Sequence, residues 1–246
     1  MPAGGALLLK VGSSPIYVVH KAADTQSVSA PPNNVAVAPS PATPIKGSPP
    51  ANPDCAASQK NDIHMAGSSY FEQTGHNLGG PFRAYWETHG STDVLGYPVT
   101  EEFTATLQDG KAYRQQIFQR ARMEYHPENT PPNDVQLGLL GVWLSQGRNF
   151  SRMPAPGNTL TTYFAQTGHT LSVFKEWWTS HGSVGVFGLP LSEEMQEKNS
   201  ADGKVYTVQY FERNRLESHP EYAGSDNSVL LGLLGAEYLS AQGCAR

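Results

Sequence analysis

The sequence predicts an α+β fold made of two tandem homologous repeats, preceded by a disordered proline-rich linker. The first indication is the distribution of aromatic residues, since all 4 tryptophans and 10 of the 11 tyrosines follow Ser69. The second is a duplication of sequence within that aromatic region. The third is that helical and strand patterns alternate in the same order in both copies. We expect each repeat to contain a short helix, a three-stranded antiparallel meander and a second helix.

Matching segments reveal the duplication. "YFEQTGHNLGG" from Tyr70 matches "YFAQTGHTLSV" from Tyr163, and "YRQQIFQRARMEYHPE" from Tyr113 matches "YTVQYFERNRLESHPE" from Tyr206, both at an offset of 93 residues. "VQLGLLG" then returns as "VLLGLLG". A shared offset over such a length indicates tandem duplication. The predicted domains are a short β-hairpin or remnant of a preceding module at 1–20, a Pro/Ala/Ser-rich linker at 21–69, a first repeat at 70–150 and a second repeat at 151–246. We call the two repeats the first half and the second half.

Caps and turns place the elements within each repeat. Phe82, Tyr85 and Trp86 have helical spacing, and Gly90, like its counterpart Gly182, can end a helix in the left-handed conformation. "LGYP" and "FGLP" predict tight turns, and an Asp-Gly pair in each copy predicts a hairpin.

Two further patterns predict helical turns. Thr100 and Ser192 are each followed by two glutamates, an arrangement typical of the start of a capped helix. "LGLLG" occurs near the end of both copies and predicts a helix start or a buried turn that leads into the closing helix. We therefore expect the meander to end before "LGLLG".

The linker, residues 21–69, contains eight prolines between Pro31 and Pro53 and no aromatic residue. Such a segment cannot bury enough apolar surface to offset its ordering entropy, so we expect disorder. Residues 1–20 contain two apolar runs around Gly-Ser-Ser-Pro, which is typical of a hairpin. They show neither a basic region nor an apolar core long enough for a signal peptide.

Charge, hydropathy and cysteine usage bound the partners and the compartment. The net charge is −5 and the pI about 5.9, and no basic cluster is present, so we expect no nucleic-acid partner. No apolar run approaches the roughly 18 residues of a membrane span. Cys55 and Cys244 flank the aromatic region. They are either two unrelated thiols or one disulfide that closes a long loop in an oxidising compartment.

A charged string is repeated within the duplication, as "RARMEYHPE" at 120–128 and "RNRLESHPE" at 213–221. On a strand, alternate residues of the string project to one face, and the proline ends the pairing of that strand. The face is either a structural ion-pair ladder or a ligand-binding surface. The ligand-binding candidates that it supplies are Arg122, Glu124, His126, Arg215, Glu217 and His219.

Adjacent aromatic residues occur at matching places in the two copies. Trp86 aligns with Trp178, and both fit core positions, whereas Tyr85 aligns with Trp177 at a position that can be partly exposed. Aromatic rings close to Arg, Glu and Gln are typical of carbohydrate-binding surfaces. Tyr85 and Trp177 are therefore the remaining ligand-binding candidates.

We predict no catalytic residue, no metal ligand and no cofactor. The sequence has no P-loop, G-x-G-x-x-G, G-x-S-x-G or H-E-x-x-H motif. A zinc site of His89, Glu124 and His126 is an alternative, but turn-capping histidines are favoured over it. Each carboxylate suited to a glycosidase pair has a duplicate, and two complete active sites are not expected in so short a chain.

The combination of "LGYP" or "FGLP" with a later Gln-x-Phe resembles the LGFP repeat of bacterial cell-envelope and exported proteins. The matching elements are Leu95-Gly96-Tyr97-Pro98, Phe187-Gly188-Leu189-Pro190, Gln116 with Phe118, and Gln209 with Phe211. The resemblance covers residues 70–240, and this repeat is longer than the usual LGFP unit and adds the charged string. The resemblance implies a non-catalytic module that holds a protein on or near cell-wall polysaccharide.

The sequence therefore predicts a non-catalytic repeat module, extracellular or on the cell surface, that binds cell-envelope or extracellular polysaccharide. One alternative is a structural or assembly protein of a bacterial surface layer or filament, whose repeats pack on neighbouring surface-protein chains. A hydrolase is the other. Exposed aromatic residues along a groove would favour the first function, a large flat apolar patch the second, and a closed pocket with a perturbed carboxylate the third.

Overall fold

Two four-stranded sheets and two small hairpins form the framework, with short helices between them. The computed structural model describes residues 52–107, 109–157, 161–199 and 202–244, which belong to one compact unit of residues 48–246. Within these ranges there are 12 strands in four antiparallel sheets and 7 α-helices. The predicted α+β class is confirmed.

The same order of elements occurs twice along the chain. After α1 (Pro53–Ala57), the first half contains β1 (Ser69–Phe71), β2 (His76–Leu78), α2 (Gly80–Thr88), α3 (Ser91–Val94), β3 (Phe103–Thr106), β4 (Ala112–Ile117), β5 (Arg122–Tyr125), β6 (Val135–Leu137) and α4 (Leu140–Leu144). The second half contains β7 (Thr162–Phe164), β8 (His169–Leu171), α5 (Lys175–Ser180), α6 (Ser183–Phe187), β9 (Met195–Lys198), β10 (Val205–Tyr210), β11 (Arg215–Ser218), β12 (Val229–Leu231) and α7 (Leu234–Ala241). Two 3-10 turns, Pro220–Tyr222 and Asp226–Ser228, precede β12.

Each large sheet has four strands, so the expected three-stranded meander is wrong. The strand orders are β3-β4-β5-β6 and β12-β11-β10-β9. The unexpected strand β6 pairs with β5, with Met123 opposite Leu137 and Tyr125 opposite Val135. The apolar run "VQLGLLG" has no periodicity that separates a strand from a helix start. In the structure the helix begins only at Leu140.

Glycines end the first helices as expected. Gly90 and Gly182 follow the C-caps of α2 and α5 with φ of 88° and 108°. The expected helical turns after Thr100 and Ser192 are wrong. The Thr100 hydroxyl instead accepts a hydrogen bond from Ile117 N at 2.9 Å, and the Ser192 hydroxyl accepts one from Tyr210 N at 3.0 Å. Each hydroxyl thus ties the preceding loop to a central strand.

The predicted linker is ordered at its end, so a disordered 21–69 is wrong for residues 52–69. Asn52 caps α1, the Tyr238 hydroxyl donates to Asp54 Oδ2 at 2.6 Å, and Cys55 is disulfide-bonded to Cys244. These partners lie almost 190 residues away (a sequence separation of 189 for the cysteines), so local composition gave no sign of them. The predicted hairpin at 1–20 and the linker up to residue 51 lie outside the described residues.

The main core contains side chains from both halves. Its largest fully buried side chains include Phe82, Leu95, Phe118, Phe174, Phe187 and Phe211. A second cluster forms where the closing helices α4 and α7 meet, with Trp143 and Tyr238 at 4.8 Å between ring centroids. Since these clusters cross from one half to the other, the two halves stabilise each other. Across the described ranges, no helix has the length and apolar character that a bilayer crossing requires.

Candidate functional site

The charged string forms a largely buried chain of ion pairs in the first half. Arg122 donates to Glu124 Oε1 from Nε at 2.9 Å and from Nη2 at 2.7 Å. His126 lies between two carboxylates, with Nε2 at 3.5 Å from Glu124 Oε2 and Nδ1 at 3.1 Å from Glu128 Oε1. Glu124 is only 7% exposed. These candidates therefore face the interior and each other.

The second half contains an equivalent chain of ion pairs, and its Arg–Glu pair is more deeply buried than that of the first half. Arg215 Nη2 lies 2.6 Å from Glu217 Oε1 and 2.9 Å from Glu237 Oε1, and Arg215 Nη1 lies 3.6 Å from Glu197 Oε1. His219 again lies between Glu217 and a second glutamate. The Arg–Glu pair of each half is largely enclosed, whereas the outer glutamates Glu128 and Glu221 are 49% and 36% exposed. This arrangement is that of a structural ion-pair ladder, and we call it the buried ladder.

The first glycine of each "LGLLG" covers the ion pair. A Cβ added to Gly138 would lie 2.6 Å from Arg122 Nε and 2.6 Å from Glu124 Oε1. A Cβ added to Gly232 would lie 2.9 Å from Glu217 Oε1. No side chain fits between the backbone and the paired charges. The charged string and "LGLLG" are therefore two parts of one structural motif.

Shifted pKa values in the chain follow from these contacts. The Glu124 carboxylate, and then Glu128, raises the pKa of His126 above its ordinary value. Burial alone would raise the pKa of Glu124, but hydrogen bonds and charges from His126 and Arg122 outweigh it and hold the pKa low. Every carboxyl group with a shifted pKa among the described residues has it lowered, namely Asp109, Glu124, Glu128, Asp202 and Glu221.

The two aromatic candidates lie on helices α2 and α5, in a different environment. Tyr85 stacks on His89, with 3.7 Å between ring centroids, and burial raises the pKa of its hydroxyl to about 12. Trp177 stacks on His181 at 4.0 Å. Both rings are half-buried, and one face of each is covered by the histidine four residues later.

An open groove of about 420 Å³ lies instead on one face of the first sheet, at the end where β4 begins and β5 ends. Thr104, Arg114 and Tyr125 are register partners across strands β3, β4 and β5, so they form a row on this face. The Arg114 guanidinium lies 4.9 Å from the centroid of the Tyr125 ring. The lining residues are Thr104, Lys111, Ala112, Tyr113, Arg114, Tyr125, Pro127 and Glu128.

Charged neighbours fix the groove. Arg114 donates to both oxygens of Glu102, at 2.6 and 2.9 Å, a two-point contact that sets the orientation of the guanidinium. The Tyr113 hydroxyl donates to Asp109 Oδ2 at 2.8 Å and lies 3.4 Å from Glu128 Oε1. Its own ring lies 4.4 Å from His126. The buried ladder therefore supports one wall of the groove.

The second half lacks the aromatic part of this groove. The equivalent row in its sheet is Gln196, Thr207 and Ser218, and Gln196 Nε2 donates to the Thr207 hydroxyl at 2.7 Å. A smaller cavity of about 160 Å³ lies between Arg120 and the second sheet. Its two acidic wall residues already have partners, since Asp202 accepts from the Tyr206 hydroxyl and Glu217 pairs with Arg215. In the described part of the chain, no group of three or more His, Cys, Asp or Glu side chains is placed to hold a metal ion.

Sequence reasoning missed the groove residues Lys111, Arg114, Tyr125 and Glu128. A signal was present, since Arg114 and Tyr125 are replaced by Thr207 and Ser218 in the otherwise similar second copy. An exposed strand position that differs between the two copies is not required by the fold that both copies share, so its residue can serve another purpose. Comparison of the chain with models of known protein families, with curated proteins and with solved structures finds no match.

Proposed function

We propose that this protein is a non-catalytic extracellular module of two homologous repeats that binds cell-envelope or extracellular polysaccharide in the groove of the first sheet. The observation that carries the proposal is the row of Thr104, Arg114 and Tyr125 across the end of that sheet. A sugar ring has an apolar face that suits an aromatic side chain and hydroxyls that suit a few fixed polar groups.

The shape and rigidity of the groove support a polymeric ligand. Arg114 is held by Glu102 before any ligand arrives, so little side-chain entropy is lost on binding. Lys111 and Glu128 offer a donor and an acceptor at the rim. The groove is open, which suits a chain of sugars that enters and leaves along the sheet.

A non-catalytic, extracellular role agrees with three further features. A glycosidase requires a carboxylic acid with a raised pKa, whereas the shifted carboxyl groups of the described residues have lowered values. The Cys55–Cys244 disulfide is typical of oxidising, extracellular compartments. The LGFP-like motifs resemble those of cell-envelope proteins.

The test is retention of the full chain on purified cell wall and on soluble polysaccharides of varied composition. Tyr125→Ser installs the residue that the second half has at Ser218, so the sheet should tolerate it. We expect roughly tenfold weaker binding, corresponding to a loss of about 1.4 kcal/mol.

Tyr222→Ser is the matched control. Tyr222 is a tyrosine of the second half that is 49% exposed and does not line the groove, so its removal should leave retention unchanged. Absence of retention of the parent protein on every glycan would overturn the proposal. Unchanged retention of the Tyr125→Ser variant would overturn the assignment of the groove.

A further inference from the structure

Each half presents the same contacts to the other half. The turn after β4, residues 118–121, meets the start of α7, and the turn after β10, residues 211–214, meets the start of α4. Ala236 N donates to Gln119 O at 3.2 Å, and Val142 N donates to Glu212 O at 3.0 Å. We call these two contact regions the seam.

Side chains and glycines of the seam are also reciprocal. Arg120 Nη1 donates to the Leu231 carbonyl, and Arg213 Nη1 donates to the Leu137 carbonyl. A Cβ on Gly235 would overlap the Phe118 carbonyl oxygen, and a Cβ on Gly141 would overlap the Phe211 carbonyl oxygen. These paired contacts occur in both directions, as in a two-fold symmetric interface between identical subunits. One contact has no counterpart, since Asn214 Nδ2 donates to Arg120 O at 3.2 Å and the matching residue of the first half is Ala121.

Such a surface can also be completed by another molecule of the same protein. The seam surface of the first half can bind the second half of another chain in the same way as it binds the second half of its own chain. Within one chain, two covalent links oppose this exchange, the peptide connection from α4 to β7 and the Cys55–Cys244 bond. We propose that the seam is a docking surface for a second copy of this chain through exchange of halves, and that the disulfide selects the one-chain arrangement.

The energetic reason is that exchange preserves every seam contact. An exchanged dimer contains two seams for two chains, as two separate monomers do, so the cost is confined to the connection and to the entropy of association. A higher protein concentration reduces the entropic cost of association. With the disulfide closed, both ends of the module are fixed and the halves cannot separate far enough to exchange.

The test uses the full chain with Cys55→Ser and Cys244→Ser. One tagged copy carries Gln119→Cys, and a second, differently tagged copy carries Ala236→Cys. The two copies are unfolded together, refolded at high concentration and oxidised. Because these residues are in hydrogen-bond contact across the seam, we expect a disulfide-linked heterodimer of twice the 26.6 kDa chain mass.

Ser240→Cys in place of Ala236→Cys is the control, since Ser240 is exposed on the same helix and should give no heterodimer. By light scattering, the oxidised parent should stay at the single-chain mass, while the serine variant should double its mass with concentration. If the serine variant does not fold by circular dichroism, the parent in reductant is measured in the same way. A single-chain mass at every concentration, or equal cross-linking in the control, would overturn the proposal.

Discussion

His126 is the residue through which the buried ladder reaches the surface. It lies between Glu124 and Glu128, and its ring lies 4.4 Å from that of Tyr113. The same arrangement recurs at His219, whose ring lies 4.1 Å from that of Tyr206. A cationic imidazole is therefore favoured at this position of the first half, because two carboxylates share one positive partner.

Protonation of His126 should be visible in the pH dependence of stability. Its pKa is raised in the folded protein above the ordinary value of about 6.5. The stabilisation is therefore fully present below about pH 6.5 and is lost as pH rises through the raised folded pKa. Urea unfolding of the parent and of His126→Gln, from about pH 6 to about pH 8.5, measures this. An advantage of the parent that grows with rising pH would contradict the assignment.

Sequence reasoning reached this residue but missed its surroundings. Strand periodicity predicts Arg122, Glu124 and His126 on one side of a strand. The structure ends β5 at Tyr125 and still joins the three residues by ion pairs. Periodicity does not tell whether that side is open to solvent. In the structure Gly138 covers that side, because the pairing of β6 with β5 brings Gly138 next to Arg122 and Glu124. The apolar pattern of the sequence could not identify β6 as a strand.

At the scale of elements, the second glycine of "LGLLG" sets how closely a helix can approach the other half. Gly141 and Gly235 lie in the first turns of α4 and α7, against carbonyl oxygens across the seam. Neither glycine has a positive φ, so close approach rather than backbone conformation requires glycine here. The sequence predicted the two closing helices. It did not predict that these glycines allow close approach, because the turns that they contact belong to the other half.

Replacement of Gly141 by alanine should therefore be strongly destabilising. The added Cβ overlaps backbone, which cannot move aside as a flexible side chain can. We expect a loss of about 1–3 kcal/mol or more in the free energy of unfolding, as for overpacking of a core. Urea unfolding followed by circular dichroism measures it.

Gly185→Ala is the matched control for that prediction. Gly185 lies within α6, has no positive φ, and a Cβ there meets open space. Alanine in a helix interior should stabilise by roughly 0.5–1 kcal/mol relative to glycine. Equal effects of the two substitutions would show that the seam does not require a glycine at 141.

At the scale of the whole molecule, stability depends on contacts between segments that are distant in sequence. α1 is linked through Asp54 to Tyr238 of α7 and through Cys55 to Cys244, which follows α7. The main core contains phenylalanines from both halves. The α+β class and the glycine turns were predictable because the patterns that predict them are local. The ordered end of the linker was not predictable, because its partners Tyr238 and Cys244 are distant in sequence.

Reduction of the Cys55–Cys244 bond should lower the unfolding temperature without changing the fold. The bond spans 189 residues, and in the chain-entropy model a loop of this size contributes up to about 5 kcal/mol. Thermal unfolding with and without reductant measures the shift. Alkylation followed by mass spectrometry should find no free thiol in the native protein. Two alkylated cysteines without reductant would contradict the bond.

The same bond turns the two repeats into a closed ring. Cys244 follows Gln242-Gly243 after α7, as Arg148 follows Gln146-Gly147 after α4, and both glycines have positive φ, 77° and 82°. The disulfide thus occupies the place where, on the other side of the molecule, the peptide chain runs from one repeat into the next. Within the described residues, each half is therefore joined covalently to the other at two places, once by the peptide chain and once by the disulfide. A circular permutant could be made by cutting the chain after α4 and by joining the two cysteine positions with a peptide. It would keep the halves connected through that peptide in place of the disulfide.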